Sequence, residues 1–268
     1  MFKIIENIKL AHDVYSLKIN ATLIANKAKA GNFVIIKNNE RGERFPLTLA
    51  DWNSEQGWIK VVVQAIGFST KELVKLNEIQ DILGPLGNPT HIENYGNVAI
   101  VVGGLGNAMA LAQIKAFKKA GNNVTVIYGS RNKELLFWVN EITQLADKVI
   151  VATDDGSYGF HGNVVDALKN HDLNLDFILT VGPPIMMKFV SMYAKENNIK
   201  CIASLTSIMI DGMGMCGGCR LIVDGKTKFA CVDGPEFDGT KVDWSSVMNR
   251  LKHYNQETCK LNDKIKTM

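Results

Sequence analysis

Between Asn97 and Leu205 the chain alternates apolar runs with helical stretches: Val98 to Val102, a Gly-rich turn, Ala108 to Ala120, Val124 to Tyr128, Asn132 to Leu145, and Val149 to Ala152. The rhythm continues through Leu175 to Val181, a helix from Pro184 to Glu196 and a last strand at Ile199 to Leu205. Strand-length runs separated by helical segments predict an α/β unit built on a doubly wound parallel sheet. Residues 2 to 90 read differently. Their short alternating segments, Val14 to Ile19 and Trp58 to Val63, with turn chemistry at Asn38-Asn39 and Gly84-Pro85, predict a small antiparallel β-barrel. A Gly- and Cys-rich segment follows the last strand and reads as a small third module. A helix from Trp244, with Val247, Leu251 and Tyr254 on one face, and a polar tail beyond Glu257 close the chain. The expected units are 1–95, 96–207, 208–243 and 244–268.

Composition narrows the class. With 46% hydrophobic and 21% charged residues and a formal charge of +3, the chain is of globular type, and no basic block marks a nucleic-acid partner. The first ten residues lack the uninterrupted apolar core of a signal peptide, which suggests a cytoplasmic protein. Val98 to Ile114 is broken by three glycines, an Asn and a Gln, so no membrane span is expected. All five cysteines fall between Cys201 and Cys259, a clustering that suggests a metal more than a disulfide framework.

Five stretches carry candidate chemistry. Gly103-Gly104-Leu105-Gly106-Asn107 joins a buried strand to a helix, where glycines permit a tight turn and free N–H groups favour a pyrophosphate. It departs from the usual dinucleotide fingerprint: Met109 takes the place of the third glycine, and the second strand ends in Ser130-Arg131 instead of an acidic residue. Gly182-Pro183, with Met186 close behind, forms a second loop at a strand's carboxyl end, and Asp154-Asp155 follows another. In the barrel, Arg44-Phe45-Pro46-Leu47-Thr48 offers a fork-shaped phosphate donor beside a rigid turn, and Gly67 to Lys71 begins a helical pattern. Ordinary alternatives exist for four of them: a tight βα turn for the Gly103 loop, a surface ion for Arg44, an N-cap for Ser69-Thr70 and an acidic turn for Asp154-Asp155.

Cys216-x2-Cys219 followed by Cys231, with Asp211 five positions ahead of the pair, is the strongest cluster. Three thiolates at this range invite an iron–sulfur centre, and Asp211 stands where the plant-type arrangement has its first ligand. A three-Cys, one-Asp [2Fe-2S] site is chemically reasonable, since a carboxylate also binds iron. Structural zinc, a redox-active Cys-x2-Cys and Cys259 as a rival ligand remain open, while Cys201 reads as a buried strand residue. The histidines show no metal spacing.

Together these residues resemble the ferredoxin–NADP reductase superfamily over essentially the whole chain. The resemblance implies that the barrel binds FAD, with Arg44, Pro46, Leu47 and Thr48 gripping flavin and phosphates, Val63, Gln64 and Ala65 lying along the flavin, and Gly67, Ser69 and Thr70 holding pyrophosphate. It implies a nicotinamide-dinucleotide site at Gly103 to Asn107, Gly182, Pro183 and Met186, to which Ser130, Arg131 and Asp155 are candidate additions. The family resemblance favours NAD(H) for this subunit, whereas Ser130-Arg131 would suit the 2′-phosphate of NADP(H).

Met209 to Arg220 and Phe229 to Gly239 are similar to the small-subunit family of NADH-dependent reduced ferredoxin:NADP oxidoreductases, also called sulfide dehydrogenase β subunits. The related dihydroorotate dehydrogenase electron-transfer subunits normally have Cys where this chain has Asp211. The resemblance implies an oxidoreductase subunit that passes electrons between NAD(H), FAD and a [2Fe-2S] cluster to or from a larger flavin and iron–sulfur subunit, in a bifurcating heterodimer that reaches ferredoxin indirectly. Two alternatives stand beside it: the dihydroorotate partner, and a non-enzymatic, zinc-stapled nucleotide-binding regulatory module. The organic chemistry would belong to the cofactors, so no catalytic triad is expected.

Overall fold

The computed structural model describes residues 1–205 and 208–251. Tyr254, the polar tail and Cys259 lie outside the described residues. Seven antiparallel strands form the first unit: β1 (Phe2–Ala11), β2 (Val14–Asn20), β3 (Phe33–Lys37), β4 (Arg44–Asn53), β5 (Trp58–Gln64), β6 (Glu78–Ile79) and β7 (Asp81–Leu86). Their order is β6-β1-β2-β5-β4-β3-β7. The two edge strands are separated only by Gln80, so the sheet curls into a nearly closed barrel. Inward residues at every second position, including Leu17, Ile19, Val34, Ile36, Ile59, Val61 and Val63, fill it. Two short helices interrupt the barrel, α1 (Thr22–Ala25) and α2 (Phe68–Leu73).

β4 changes partner along its length. Residues 44–48 pair with β3, whereas the ladder to β5 begins at Leu49↔Val61. Beyond that point β5 pairs only with β2, through Ser16↔Val62, Tyr15↔Val63 and Val14↔Gln64. Residues 46–48 and 62–64 therefore splay apart, each with an unpaired backbone edge turned toward the gap.

The second unit is a sheet ordered β11-β10-β9-β8-β12-β13-β16. Its strands are β8 (Asn97–Gly103), β9 (Asn123–Ser130), β10 (Lys148–Thr153), β11 (Phe160–His161), β12 (Phe177–Val181), β13 (Lys200–Ser204) and β16 (Glu236–Asp238). All neighbours run parallel except β13 and β16. Both faces are covered, which is why β8 and β12 read as continuous apolar runs. On one face Val98, Ile100, Val124, Val126 and Leu179 meet α3 (Ala110–Lys119) and α4 (Val139–Leu145). On the other, Ala99, Val101, Ile127 and Ile178 meet α5 (Val164–Asn170) and α6 (Pro184–Glu196).

The structure departs from the expected helices in two places. The segment 108–120 starts as a 3-10 turn over Gly104–Met109 before α3, and 132–145 breaks into a 3-10 turn at Lys133–Leu135 and then α4. The second break lies at Leu136, whose extended backbone, φ −74° and ψ 138°, ends the 3-10 turn, and α4 restarts after Trp138, which is left-handed at φ 57° with its ring edge-on to Phe137. The third module holds a hairpin, β14 (Arg220–Val223) and β15 (Lys226–Phe229), turned by Asp224-Gly225 with both residues at positive φ. Its last strand, β16, leaves the module to close the edge of the parallel sheet. Residues 244–251 are helical. No helix among the described residues is long and apolar enough to cross a membrane.

Candidate functional site

A cleft of about 920 Å³ opens where the barrel's splayed strands face the carboxyl ends of the parallel strands. Pro46, Leu47, Thr48, Val62 and Gln64 line the barrel wall, and the Gly103 to Gly106 loop with Gly182, Pro183 and Met186 lines the sheet wall. This is the edge at which open α/β sheets receive ligands. The opposed unpaired edges of 46–48 and 62–64 offer N–H and C=O groups to a flat ring slid between them, which is what a flavin requires.

Close packing explains the glycines. A Cβ on Gly106 would collide with the Val181 carbonyl, and one on Gly103 with the Met186 sulfur, so the loop has no room for a side chain at these two positions, whereas Gly104 faces open space and answers to its positive φ of 52°. Asn107 does not face the cleft; it is fully buried, and its Nδ2 donates to the Phe137 carbonyl at 2.8 Å. It therefore ties down the segment that supplies Leu135 and Phe137 to the cleft wall. Ser130 and Arg131 line the far end, and the Ser130 hydroxyl is buried with no hydrogen-bond partner.

Asp155 stands outside the cleft lining. Its carboxylate accepts from the Ser157 N–H at 2.9 Å and the Ser157 hydroxyl at 2.6 Å, contacts that hold its carboxyl below the ordinary range. Asp154, which the sequence motif did not single out, lines the cleft instead. A turn two residues after a strand points successive side chains apart, and only one of the pair can look inward.

The other barrel candidates gather at one corner away from the cleft lining. Thr70 Oγ1 accepts the Gly67 N–H at 3.0 Å at the start of α2, and the Ser69 hydroxyl donates to the Glu43 carboxylate. That contact brings α2 against the residue preceding Arg44, whose Nη2 lies 2.8 Å from Asp81 Oδ2. The 67–70 turn and Arg44 are thus linked through Glu43, with Ser69 and Arg44 each engaged by a carboxylate. Val63 and Ala65 do not face the cleft with their side chains. Val63 packs in the barrel core, and Ala65 is buried with its N–H donating to the Asp13 carbonyl at 2.7 Å.

In the third module, Cys219 and Cys231 are buried with sulfurs 3.2 Å apart, and Cys216 is exposed. Asp211 accepts the Met213 N–H at 2.8 Å and the Cys216 N–H at 2.5 Å, donors that hold its carboxyl below the usual carboxylate range. Gly218 and Cys231 N–H groups point at the Cys216 and Cys219 sulfurs, each at 3.4 Å, and burial, reinforced by the neighbouring Cys219, pushes the Cys231 thiol up. Among the described residues, three or more such side chains are not gathered into a preformed single-ion site. What the loop presents is soft thiols ringed by N–H donors, the surroundings that suit an iron–sulfur cluster. Cys201 sits apart, buried on β13 beside Ser191.

A splayed flavin-type barrel, a doubly wound sheet with glycine loops over a shared cleft, and a thiol module define an electron-transfer oxidoreductase of ferredoxin reductase-like fold. Residues 206–243 match the iron–sulfur cluster binding domain of dihydroorotate dehydrogenase B. The chain is 45% identical over 260 residues to the dihydroorotate dehydrogenase B (NAD+) electron transfer subunit homolog of Thermotoga maritima, covering 95% of this chain and 92% of that one. It is 32% identical to the corresponding electron transfer subunit of Clostridium perfringens, covering 90% and 97%. A solved chain from a study of flavin-based electron bifurcation in the NADH-dependent reduced ferredoxin–NADP oxidoreductase superposes with a TM-score of 0.92 at 42% identity, over 99% of this chain and 98% of that one. An Amycolatopsis cytochrome P450 reductase shares the fold alone, at 19% identity and a TM-score of 0.61 over 72% and 65%. The chain belongs to the family of dihydroorotate dehydrogenase B electron-transfer subunits and their homologues. It is an oxidoreductase subunit of electron-transfer type, with FAD, NAD(H) and an iron–sulfur cluster as its cofactors.

Proposed function

We propose that this chain is the small subunit of a flavin-based electron-bifurcating NADH-dependent reduced ferredoxin:NADP oxidoreductase. Residue 211 carries the choice: its carboxylate is folded onto the Cys216 N–H, at the mouth of the thiol loop, where a fourth cluster ligand is needed. The 42% identical chain from such an enzyme supports the reading over nearly the full length. A second reading, the electron-transfer subunit of an NAD-linked dihydroorotate dehydrogenase, draws on the matched module and the curated relatives.

When bound, FAD would supply the link between the two-electron chemistry of a nicotinamide and the one-electron chemistry of an iron–sulfur cluster. This chain's own residues bind and orient. Pro46 to Thr48 and Val62 to Gln64 would hold the flavin ring by backbone edges, Arg44 and the Gly67 to Thr70 turn its pyrophosphate, and the Gly103 loop with Gly182 and Pro183 the dinucleotide. Asp211, Cys216, Cys219 and Cys231 would hold the [2Fe-2S] cluster. Around that loop Ile210, Met213, Met215 and Val232 are exposed, Met215 by 81%, and form an apolar collar onto which a larger flavin and iron–sulfur subunit would dock.

Affinity purification of the chain from its native host tests the choice. Recovery of a large ferredoxin-linked subunit is expected; recovery of an orotate-forming subunit in its place would establish the second reading.

A further inference from the structure

The cleft's far end is built at the carboxyl ends of two adjacent strands, β9 and β10. Thr153 pairs with Ser130, and the Asp154 N–H donates to the Ser130 carbonyl at 3.0 Å, so Ser130, the last residue of β9, and Asp154, the first residue after β10, stand side by side. Both line the cleft. Ser130 is 9% exposed, and its hydroxyl has no partner, a state that a ligand hydroxyl would relieve. Asp166 also lines this end, but its carboxylate is occupied in the α5 capping box, accepting from the Asn163 side chain at 2.5 Å. Asp154 is the carboxylate left for a ligand.

Dinucleotide sites that select NAD use an acidic side chain on the adenosine ribose hydroxyls, supplied from the end of the second strand of the sheet motif. Here that strand, β9, ends in Ser130-Arg131. The neighbouring strand delivers the carboxylate to the same place. From this juxtaposition we infer that Asp154 is the residue that makes the cleft select the dinucleotide with a free ribose 2′-hydroxyl: Asp154 accepts from the ribose diol while the Ser130 hydroxyl pairs with the same diol.

A 2′-phosphate placed against Ser130 would lie beside the Asp154 carboxylate, and like charges at contact range repel strongly when partly desolvated. Arg131 and Lys169 also line this end and would favour a phosphate, so Asp154 is the group that opposes them. The inference rests on the cleft being the dinucleotide site.

The test is calorimetric titration of the oxidised holoprotein, with its partner subunit, by NAD+ and by NADP+. Wild type is expected to bind NAD+ about tenfold or more tightly than NADP+, the worth of one charge-assisted contact. Asp154→Asn should close that gap mainly by strengthening NADP+ binding, and Ser130→Ala should weaken NAD+. An unchanged ratio in Asp154→Asn, or a wild type that prefers NADP+, overturns the assignment. If neither dinucleotide binds wild-type protein of full flavin content, the placement of the dinucleotide in this cleft fails as well.

Discussion

Thr90, in the link between barrel and parallel sheet, donates a 2.6 Å hydrogen bond to the carboxylate of Glu236 on β16. Gln113 Nε2 on α3 donates in turn to the Thr90 hydroxyl, also at 2.6 Å. One polar chain thus ties together the link, α3 and the strand that returns from the thiol module. Burial pushes the Glu236 carboxyl up to about 7, with the Thr90 bond acting against it.

A carboxyl whose pKa is raised on folding binds its proton more tightly in the folded state. Its contribution to stability is fully present below the unfolded value near 4.5 and is lost as pH rises through about 7. Thermal unfolding between pH 5 and 8 should therefore show a decline that Glu236→Gln reduces, with the variant gaining on the order of 2 kcal/mol over wild type at pH 8. Parallel curves for the two proteins would contradict the linkage.

Arg44→Ala should weaken FAD retention by about tenfold or more, through loss of a charge-assisted phosphate contact. Its pair with Asp81 is partly exposed, so the melting temperature should move little. Equilibrium dialysis of FAD checks this, and unchanged affinity would move the pyrophosphate site elsewhere.

Gly106→Ala forces a methyl group into the Val181 carbonyl. The loop must shift, and NAD+ binding should fall by about tenfold or more while the flavin spectrum is kept. Wild-type binding in this variant would show that the loop does not seat the dinucleotide.

For the cluster, Asp211→Ala should lower iron content, Asp211→Cys should keep the cluster with an altered electron paramagnetic resonance signal, and Cys259→Ser should change neither. A cluster lost in Cys259→Ser and intact in Asp211→Ala would reverse the ligand assignment.

Much of the architecture is legible in the chain because it rests on periodicity. Continuous apolar runs at Val98 and Phe177 could be buried only between two helical layers, and alternation at Trp58 only on a one-sided sheet. What escaped is set by tertiary contact. The expected helix over 132–145 is interrupted at Leu136 to Trp138 although its apolar period runs on, and β16 finds its partner β13 across more than thirty residues. The hairpin had a readable signal in Asp224-Gly225. In the site, motif spacing located the loops but could not tell Asp154 from Asp155 or the cleft face of β5 from the core face of Val63.

The most direct test of the central claim is anaerobic purification with the native partner, followed by flavin and iron counts and an absorption spectrum before and after addition of NADH or NADPH. Electron transfer from NADH through FAD to a cluster predicts a protein containing both cofactors whose flavin and cluster bands bleach with NADH. A colourless protein without flavin or iron, carrying zinc in the thiol module, would contradict it.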